Sequence, residues 1–556
     1  MTKTKKKTRI VGFADLNKDI AYCVLEDGRP LIHAELERYS RIKEGPRDAD
    51  PYRFFMETYP EWRTCDYAVC TISSKPTAPY RKCKNSYLAV ERAVKRNGGE
   101  VAVLSHHLCH AANAFYSSNF HEAIIITLDG GGEEFIETEG DGSEVNTVHT
   151  SLTAYIGKGT KLENIRRYEE TLSVGTMWSV ICKDVFGISV GPPFGHKAGT
   201  VMAMAAYGNP DRYLSLFIEK LDNERYQSVA EQNLKELKEA ITSDDNAPFD
   251  IAATLQWVTE FIIYSIVDDV LSDPKATSKN LCLAGGVSLN SVMTHKLYKK
   301  YEDKIENIYC APVPYDSGLA IGNAQYYWHH VLENPRVKWL DNFTPYLGEL
   351  YSKENILEAL EPEKDVLHIE SGTDARVLNL LNKQQIVAVF GGPSESGRRA
   401  LGNRSILGDP RSSTMKDYIN EKAKHREPWR PFAPSILREE VVNWFEMDYD
   451  SPYMSFVNFF KEGVRDQVPA VLHVDGSARL QTVTKKDNPW YYTFLKKWQK
   501  KTGVPILLNT SFNDREPIVE SPQDAINCFV TTEIDYLYFY EYGILVSHRE
   551  KKDGSQ

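Results

Sequence analysis

The stretch Leu104–Phe135, "LSHHLCHAANAFYSSNFHEAIIITLDGGGEEF", puts three histidines within five residues. An apolar run follows, ending in Asp129 and three glycines. His106 and His110 are four apart, so on a helix they share a face, and two imidazoles on one face can hold one metal ion. His107 points elsewhere on such a helix. Asp129 would add a hard oxygen ligand, and a mixed N/O set suits Fe, Mn, Zn or Mg. The same spacing fits a helix N-terminus with exposed histidines. Asp316, in "VPYDSGLAIGNA", is a possible fourth ligand and equally a helix N-cap.

The glycines after Asp129 suggest a second chemistry. Glycine lets backbone N–H groups approach a phosphate closely. "LAGGVSLN" (Leu283–Asn290) repeats that design at a strand-to-helix turn, where a helix N-terminus favours an anion. Two such turns beside a His/Asp cluster point to nucleotide binding.

Those residues need elements to place them. "RIVGFADLNKDIAYCVLEDGRPL" reads as two strands joined at Asp27-Gly28, a hairpin signal. "EAIIITLDGGG" reads as a buried strand entering a glycine turn, with Asp129 at its end. Residues 212–275 are mostly helical by pattern. "NLCLAGGVSLNSVMTHKLYKKY" reads strand, turn, helix. An α/β domain to about residue 340 follows, with a second α/β unit opening at "QQIVAVFGGPSESGRRALGNRSIL". The domain ranges expected are 1–350 and 351–556.

The 556 residues allow two domains with separate cores. No uncharged apolar stretch of membrane-spanning length stands out, so no membrane association is expected. The basic N-terminus "MTKTKKKTRIVGF" is not followed by a signal-peptide core, and its lysines read as a solvated tail or an anion contact. A net charge of −11 disfavours a broad nucleic-acid footprint. Nine cysteines without a C-x-x-C pair read as reduced thiols in a cytoplasmic compartment.

Several blocks, in order, resemble the nodulation-factor, cephamycin and tobramycin O-carbamoyltransferases. They are "RIVGF", "LERYSRIK", "SHHLCHAANAFYSSNF", "LCLAGGVSLN" and "YDSGLAIGNA", then "ESGRRALGNRSILGDPR", "HREPWRPFAPSIL", "HVDGSARLQTV" and "TGVPILLNTSFNDREPIV". The resemblance spans nearly the whole chain. It implies an N-terminal actin-like (ASKHA, Kae1-like) domain and a C-terminal YrdC-like α/β domain. The C-terminal domain would make carbamoyl-adenylate from carbamoyl phosphate and ATP, with Mg accompanying the ATP. The N-terminal domain would pass the carbamoyl group to an acceptor hydroxyl.

The resemblance also implies residue roles. His106, His110, Asp129 and Asp316 match the family's metal ligands, with iron the usual ion. Lys43 matches a nucleotide-contacting lysine, and Gly130, Gly131, Gly285, Gly286 and Asn290 would line the adenylate. Arg399, Arg404, Lys424, Arg430 and Arg479 lie in turn-rich segments, where arginine forks could hold phosphate oxygens bidentately. Asn509, Ser511 and Asn513 of "NTSFN" could hydrogen-bond phosphate or carbamoyl oxygens.

The chain departs from the family pattern mainly in its first half. Lys18 stands where a histidine is usual, and it could act as the base if burial lowered its pKa. His107 is another candidate base. Glu133-Glu134 replaces a common Gly-Asp-Gly, Lys197 lies upstream of its usual place, and "NDREPIV" lacks a glycine. An unusual acceptor is therefore expected: a small molecule or sugar in preference to a hydroxymethylated pyrimidine in a nucleotide or DNA. Two other functions compete, threonylcarbamoyl-type transfer to tRNA and a nucleotide-binding module without acceptor chemistry. The resemblance also implies a homodimer.

Overall fold

The computed structural model describes residues 6–47, 49–72, 83–137, 145–169, 173–188, 197–220, 226–228, 232–337 and 345–549. The chain divides into two compact units, Met1–Phe343 and Thr344–Gln556. The first five residues of the basic N-terminus lie outside the described residues. Lys6 and Lys7 pair with Asp66 and Glu26 at 2.6 and 2.5 Å.

The first unit contains one sheet topology twice. Strands β1 (Arg9–Asp15), β2 (Ala21–Glu26), β3 (Arg29–Glu35), β4 (Tyr67–Ile72) and β5 (Val101–Val103) lie in the order β3-β2-β1-β4-β5. The first three are antiparallel, and β4 and β5 run parallel to β1. Next come β6 (Glu122–Glu137), β7 (Val145–Lys158) and β8 (Lys161–Glu169), a ribbon of β9 (Ile218–Lys220) and β10 (Tyr226–Ser228), then β11 (Asn280–Ala284) and β12 (Asn307–Cys310). The main strands take the order β12-β11-β6-β7-β8, with the same pattern of directions. This duplicated arrangement is the actin-like architecture. The expected pair of strands around Asp27-Gly28 is three strands: that turn joins β2 to β3, with φ of 48° and 79° at its two residues.

Each half ends in a helix. Helix α1 (His106–Ser117) follows β5, and α2 (Leu319–Tyr326) follows the 3-10 turn Asp316–Gly318 after β12. The two helices pack on each other. Their contact needs glycine at Gly322, where a Cβ would lie 1.9 Å from the Cys109 carbonyl oxygen. The 25-residue helix Ala247–Leu271 is long and apolar enough to resemble a membrane span by composition. Here it is a core element, with Ile263, Ile266, Val267 and Val270 packed on Ile124, Ile126 and Leu283 of the second sheet.

The C-terminal end of α1 is held by Arg336. Its guanidinium donates to the carbonyls of Phe115 (2.8 Å), Ser118 (2.9 Å), Phe120 (3.1 Å) and Gly159 (3.3 Å), and it lies over the Phe115 ring. A cation is favourable where helix carbonyls are left without amides. His329, fully buried against Tyr116, is pushed down to about 4 by burial.

The second unit is built on an eight-stranded mixed sheet. Its strands are β13 (Leu367–Ser371), β14 (Val387–Phe390), β15 (Arg404–Gly408), β16 (Ala433–Leu437), β19 (Gln481–Val483), β20 (Ile506–Ser511), β21 (Tyr536–Phe539) and β22 (Ile544–His548); a separate ribbon pairs β17 (Val457–Phe459) with β18 (Ser477–Arg479). The sheet order is β13-β22-β21-β14-β15-β20-β16-β19. Successive side chains on a strand face opposite sides. Ala388, Ile406, Ile436, Ile506 and Leu508 accordingly fill one core, and Val387, Val389, Leu407, Leu437 and Leu507 fill the other, with Trp498 and Phe494. This two-sided burial explains why "GVPILL" is apolar without alternation. The result is the α/β architecture that the YrdC-like resemblance implies.

Two outcomes follow for the first unit. Arg336→Met should lower its unfolding free energy by about 2–4 kcal/mol, since several buried carbonyls lose their donor; denaturant unfolding measures this. His329 binds its proton more weakly folded than unfolded, so its contribution is complete above pH 6.5 and lost as pH falls toward 4. His329→Gln should flatten that part of the stability–pH curve.

Candidate functional site

In the first unit, the glycine run after Asp129 is not the end of a strand. β6 continues to Glu137, and its pairing with β7 shifts between Leu128 and Gly132. Asp129, Gly130 and Gly131 form a bulge, the device that lets a sheet aim a side chain out of its ladder. Asp129 Oδ1 accepts the N–H groups of Gly130 (2.8 Å) and Gly286 (3.3 Å). Oδ2 is thereby left facing α1. The glycines also make room for rings: a Cβ on Gly132 would lie 2.3 Å from the His106 ring, and one on Gly131 equally close to His149. Gly285 has φ +88°, and a Cβ there would meet the Leu128 carbonyl at 2.2 Å.

The four side chains singled out for a metal converge. Asp129 Oδ2 is 2.9 Å from His106 Nε2 and 3.1 Å from His110 Nε2, and the two nitrogens are 3.2 Å apart. Asp316 Oδ1 lies 3.7 and 3.5 Å from the same nitrogens. All four ligand atoms lie within 4.8 Å of one another. Donors about 2.1 Å from a tetrahedral ion are about 3.4 Å apart, so this spacing fits one transition-metal ion. The electrostatics agree. Burial opposes charge on His110, yet its bonds to Asp129 and Asp316 raise it to about 9. Burial likewise opposes the Asp129 charge, but His106 and His110 hold that carboxyl well below the usual range. Two carboxylates and two imidazoles at this spacing form a candidate metal site.

Neighbouring turns frame the cluster. Lys18 sits in the turn after β1, 3.6 Å from Asp19 Oδ2, and its charge helps lower Asp316. Ser317 Oγ donates to the Asp19 carbonyl at 3.1 Å, and the Asp19 N–H donates to the Glu44 carbonyl at 2.7 Å. These bonds join the Lys18 turn to the Asp316 loop and to the Lys43 turn. The Lys18 side chain is 39% exposed, so it stands at the rim of the cluster rather than in the core. His107 is fully buried, with Nδ1 2.8 Å from Thr127 Oγ1 and Nε2 2.8 Å from the Thr150 carbonyl. Burial, then His106, push it down to about 3. It is a neutral core histidine, with both nitrogens committed and neither open to an acceptor. Glu134 accepts the His107 N–H at 2.7 Å, so it too faces inward. Asn290 is a helix cap: Oδ1 accepts the Met293 N–H at 3.0 Å, and Nδ2 donates to Gln256 at 2.8 Å.

In the second unit, Arg399, Arg430 and Arg479 share one electrostatic neighbourhood with Arg426. Burial first, then the charges of Arg399, Arg426 and Arg430, push Arg479 well below its ordinary value. Burial, then Arg430, push Arg426 down to about 9. Glu427 is the acidic neighbour of Arg430, 3.7 Å away. Arg479 Nε is buried without a hydrogen-bond partner among the described residues. Crowded guanidiniums with an unspent buried donor make this a candidate anion site. Arg426 was not among the sequence candidates, although "HREPWR" contains it; the signal was a third basic residue between Lys424 and Arg430.

The remaining candidates divide differently. Lys424 Nζ donates to the Ser511 carbonyl (2.9 Å) and to the carbonyl and Oδ1 of Asn513 (both 2.6 Å). Lys424, Ser511 and Asn513 are thus together, with three ammonium donors spent on that turn. Asn509 Nδ2 donates to the Ala400 carbonyl, Ser435 Oγ and Gln481 Oε1, while its buried Oδ1 finds no partner among the described residues. Arg404 is not part of the cluster. It is fully buried, lies 3.6 Å over the Phe390 ring, and donates to the carbonyls of Gly391, Gly392, Asn403 and Glu520. Among the described residues only Nη2 lacks a partner, so Arg404 clamps the β14–β15 junction.

A duplicated actin-like unit with a His/Asp cluster is joined in one chain to an α/β unit with clustered arginines. Residues 77–325 match the carbamoyltransferase N-terminus and residues 378–545 the carbamoyltransferase C-terminus. An uncharacterised protein of Synechocystis sp. is 32% identical, covering 97% of this chain and 89% of that one. Nodulation protein NolO of Bradyrhizobium diazoefficiens is 35% identical, covering 78% and 77%. Among solved structures, HypF of T. kodakarensis matches 59% of this chain and 48% of its own at 15% identity and a TM-score of 0.37. The chain belongs to the carbamoyltransferase family.

Added Fe2+, Mn2+ or Zn2+ should raise the melting temperature, with about 2.7 kcal/mol of stabilisation at a hundredfold excess over Kd. Asp129→Ala should abolish that shift and the bound metal measured by elemental analysis.

Proposed function

We propose that this carbamoyltransferase is an ATP-dependent O-carbamoyltransferase working through carbamoyl-adenylate. The observation that carries this reading is the cluster of Arg399, Arg426, Arg430 and Arg479, whose crowded charges call for a polyanion. Carbamoyl phosphate and ATP together are such a load. One water converts carbamoyl phosphate to carbamate and phosphate. A carbamate oxygen then bonds to the α-phosphorus of ATP, and pyrophosphate leaves. The arginines hold phosphate oxygens and stabilise the charge that grows on the departing pyrophosphate. Lys424, Ser511, Asn509 and Asn513 shape the floor of this site, and Arg404 braces it. Mg2+ accompanies the ATP.

In the first unit, the acceptor hydroxyl oxygen bonds to the carbamoyl carbon, the bond to AMP breaks, and a base takes the hydroxyl proton. His106, His110, Asp129 and Asp316 would hold a divalent metal, with iron expected, and when bound it supplies Lewis acidity toward the carbamoyl group. Gly130, Gly131, Gly285 and Gly286 offer a close backbone approach for the adenylate beside Lys43. Lys18 lies within electrostatic reach of Asp316 and occupies the acceptor side. A half-exposed lysine there attracts and orients an acceptor more readily than it removes a proton, so the acceptor is read as a small molecule or sugar with anionic or strongly polar groups.

Pyrophosphate release from ATP should require carbamoyl phosphate, and mass spectrometry should detect carbamoyl-AMP. Arg399→Ala should cut that release by about 100-fold. Lys18→Met should lower carbamate-ester yield with pyrophosphate release retained. Release independent of carbamoyl phosphate, or demanding threonine and bicarbonate instead, would sink the reading.

A further inference from the structure

The segment carrying Arg399 is built on one buried carboxylate. Glu395 lies between β14 and β15 and is 1% exposed. Its Oε1 accepts the N–H groups of Leu401 (2.7 Å), Asn403 (2.8 Å) and Arg404 (3.2 Å). The Gly402 N–H between them goes to Ser405 Oγ at 3.0 Å. Four consecutive amides therefore end on two side chains. The carbonyls are held as well: Ala400 by Asn509 at 3.1 Å, Leu401 by Tyr346 at 2.9 Å and Gln481 at 3.0 Å. Gly402 has φ +118°, and a Cβ there would lie 2.6 Å from the Tyr491 ring.

Residues 400–404 are thus pinned, while Arg398 and Arg399 stand half-buried on the short arc between Glu395 and Ala400. Gly397, with φ +93°, turns that arc. Both ends of the arc are set by Glu395: one end is its own backbone, and the other is the set of amides its side chain gathers. Amides converging on an anionic oxygen make charge-assisted bonds, stronger than neutral ones.

We infer that Glu395 is a positioning residue, holding the 395–404 loop in the shape that presents Arg399 to an oxyanion such as pyrophosphate. This rests on the reading of the arginine cluster as an anion site. Glu395 itself does not touch the ligand in this account, because Oε1 is consumed by the loop and Oε2 is buried. A competing role is that of a counter-charge to the arginines. The two differ in sign: removing a counter-charge tightens anion binding, whereas releasing the loop weakens it.

The test is calorimetric binding of inorganic pyrophosphate to the full chain, in a cycle of Glu395→Ala, Arg399→Ala and the double variant, with Glu395→Gln alongside. Arg399→Ala should weaken binding about 10- to 100-fold, the scale of a lost charged hydrogen bond. Glu395→Ala should weaken it comparably, and the double variant should fall within about twofold of Arg399→Ala, since both act through one guanidinium. Glu395→Gln should stay within about threefold of wild type, because its carbonyl oxygen can accept the same amides. Effects that multiply in the double variant overturn the inference, as does a Gln variant as weak as Ala or tighter than wild type. If Glu395→Ala does not fold, Glu395→Asp takes its place in the cycle, one methylene short of the amides, with the same expectation of non-additivity. Pyrophosphate binding does not depend on carbamoyl chemistry. Non-additive binding without carbamoyl-dependent turnover therefore removes the proposed reaction and keeps the positioning role, whereas wild-type protein that binds no pyrophosphate overturns both.

Discussion

The first unit depends on how closely two helices approach. Each half of the duplicated fold ends in a helix, and α1 and α2 meet where Gly322 leaves no side chain against the Cys109 carbonyl. Helices that touch at a glycine bring their ends nearer than larger residues allow. That closeness sets the N-terminal turn of α1, with His106 and His110, beside the turn leading into α2, with Asp316. Asp129 then closes the group from the second sheet. Neither half holds the cluster alone. The first contributes two nitrogens and the second two oxygens, so the site exists only because the halves are packed.

The second unit solves a different electrostatic problem. Guanidiniums repel, and burying several together costs folding energy unless a ligand compensates. The fold sets Arg399, Arg426, Arg430 and Arg479 on loops and a ribbon edge. It spends its best-packed cation, Arg404, on carbonyls and an aromatic face. Lys424 is likewise absorbed by the Ser511–Asn513 turn. The charges that remain crowded are those outside the sheet core, where the proposed polyanion would bind.

Much of this was legible in the residues. The apolar runs marked β6, β11 and β20, and the i, i+4 histidines marked one face of a helix. Their meeting with Asp129 and Asp316 needed the family resemblance, since nothing local joins residues 110 and 316. The duplication was invisible because a sheet needs only buried, apolar strands, and two halves can share an order of strands without sharing a sequence. The bulge was misread as a strand end, since glycines mark both. Arg404, Asn290 and His107 show a further limit. Residue type says what a side chain can donate, but only the fold says whether carbonyls or amides have already claimed it. Arg426 was passed over although it lies between Lys424 and Arg430, because its place in the cluster is set by the fold rather than by its immediate sequence.

The bulge in β6 has a countable consequence. From Leu128 to Gly132 the strand advances four residues while its partner moves two, from Leu152 to Thr150. The excursion therefore consumes two extra residues, an even number. Glu134 leaves it on the α1 side, accepting from the His107 N–H and the Tyr155 hydroxyl, whereas Ile126 and Leu128, before it, pack on the other face against the helix Ala247–Leu271. A length change in this glycine run would therefore shift Glu134 against the His107 amide at the head of α1, so the run sets the seat of that helix as well as the aim of Asp129.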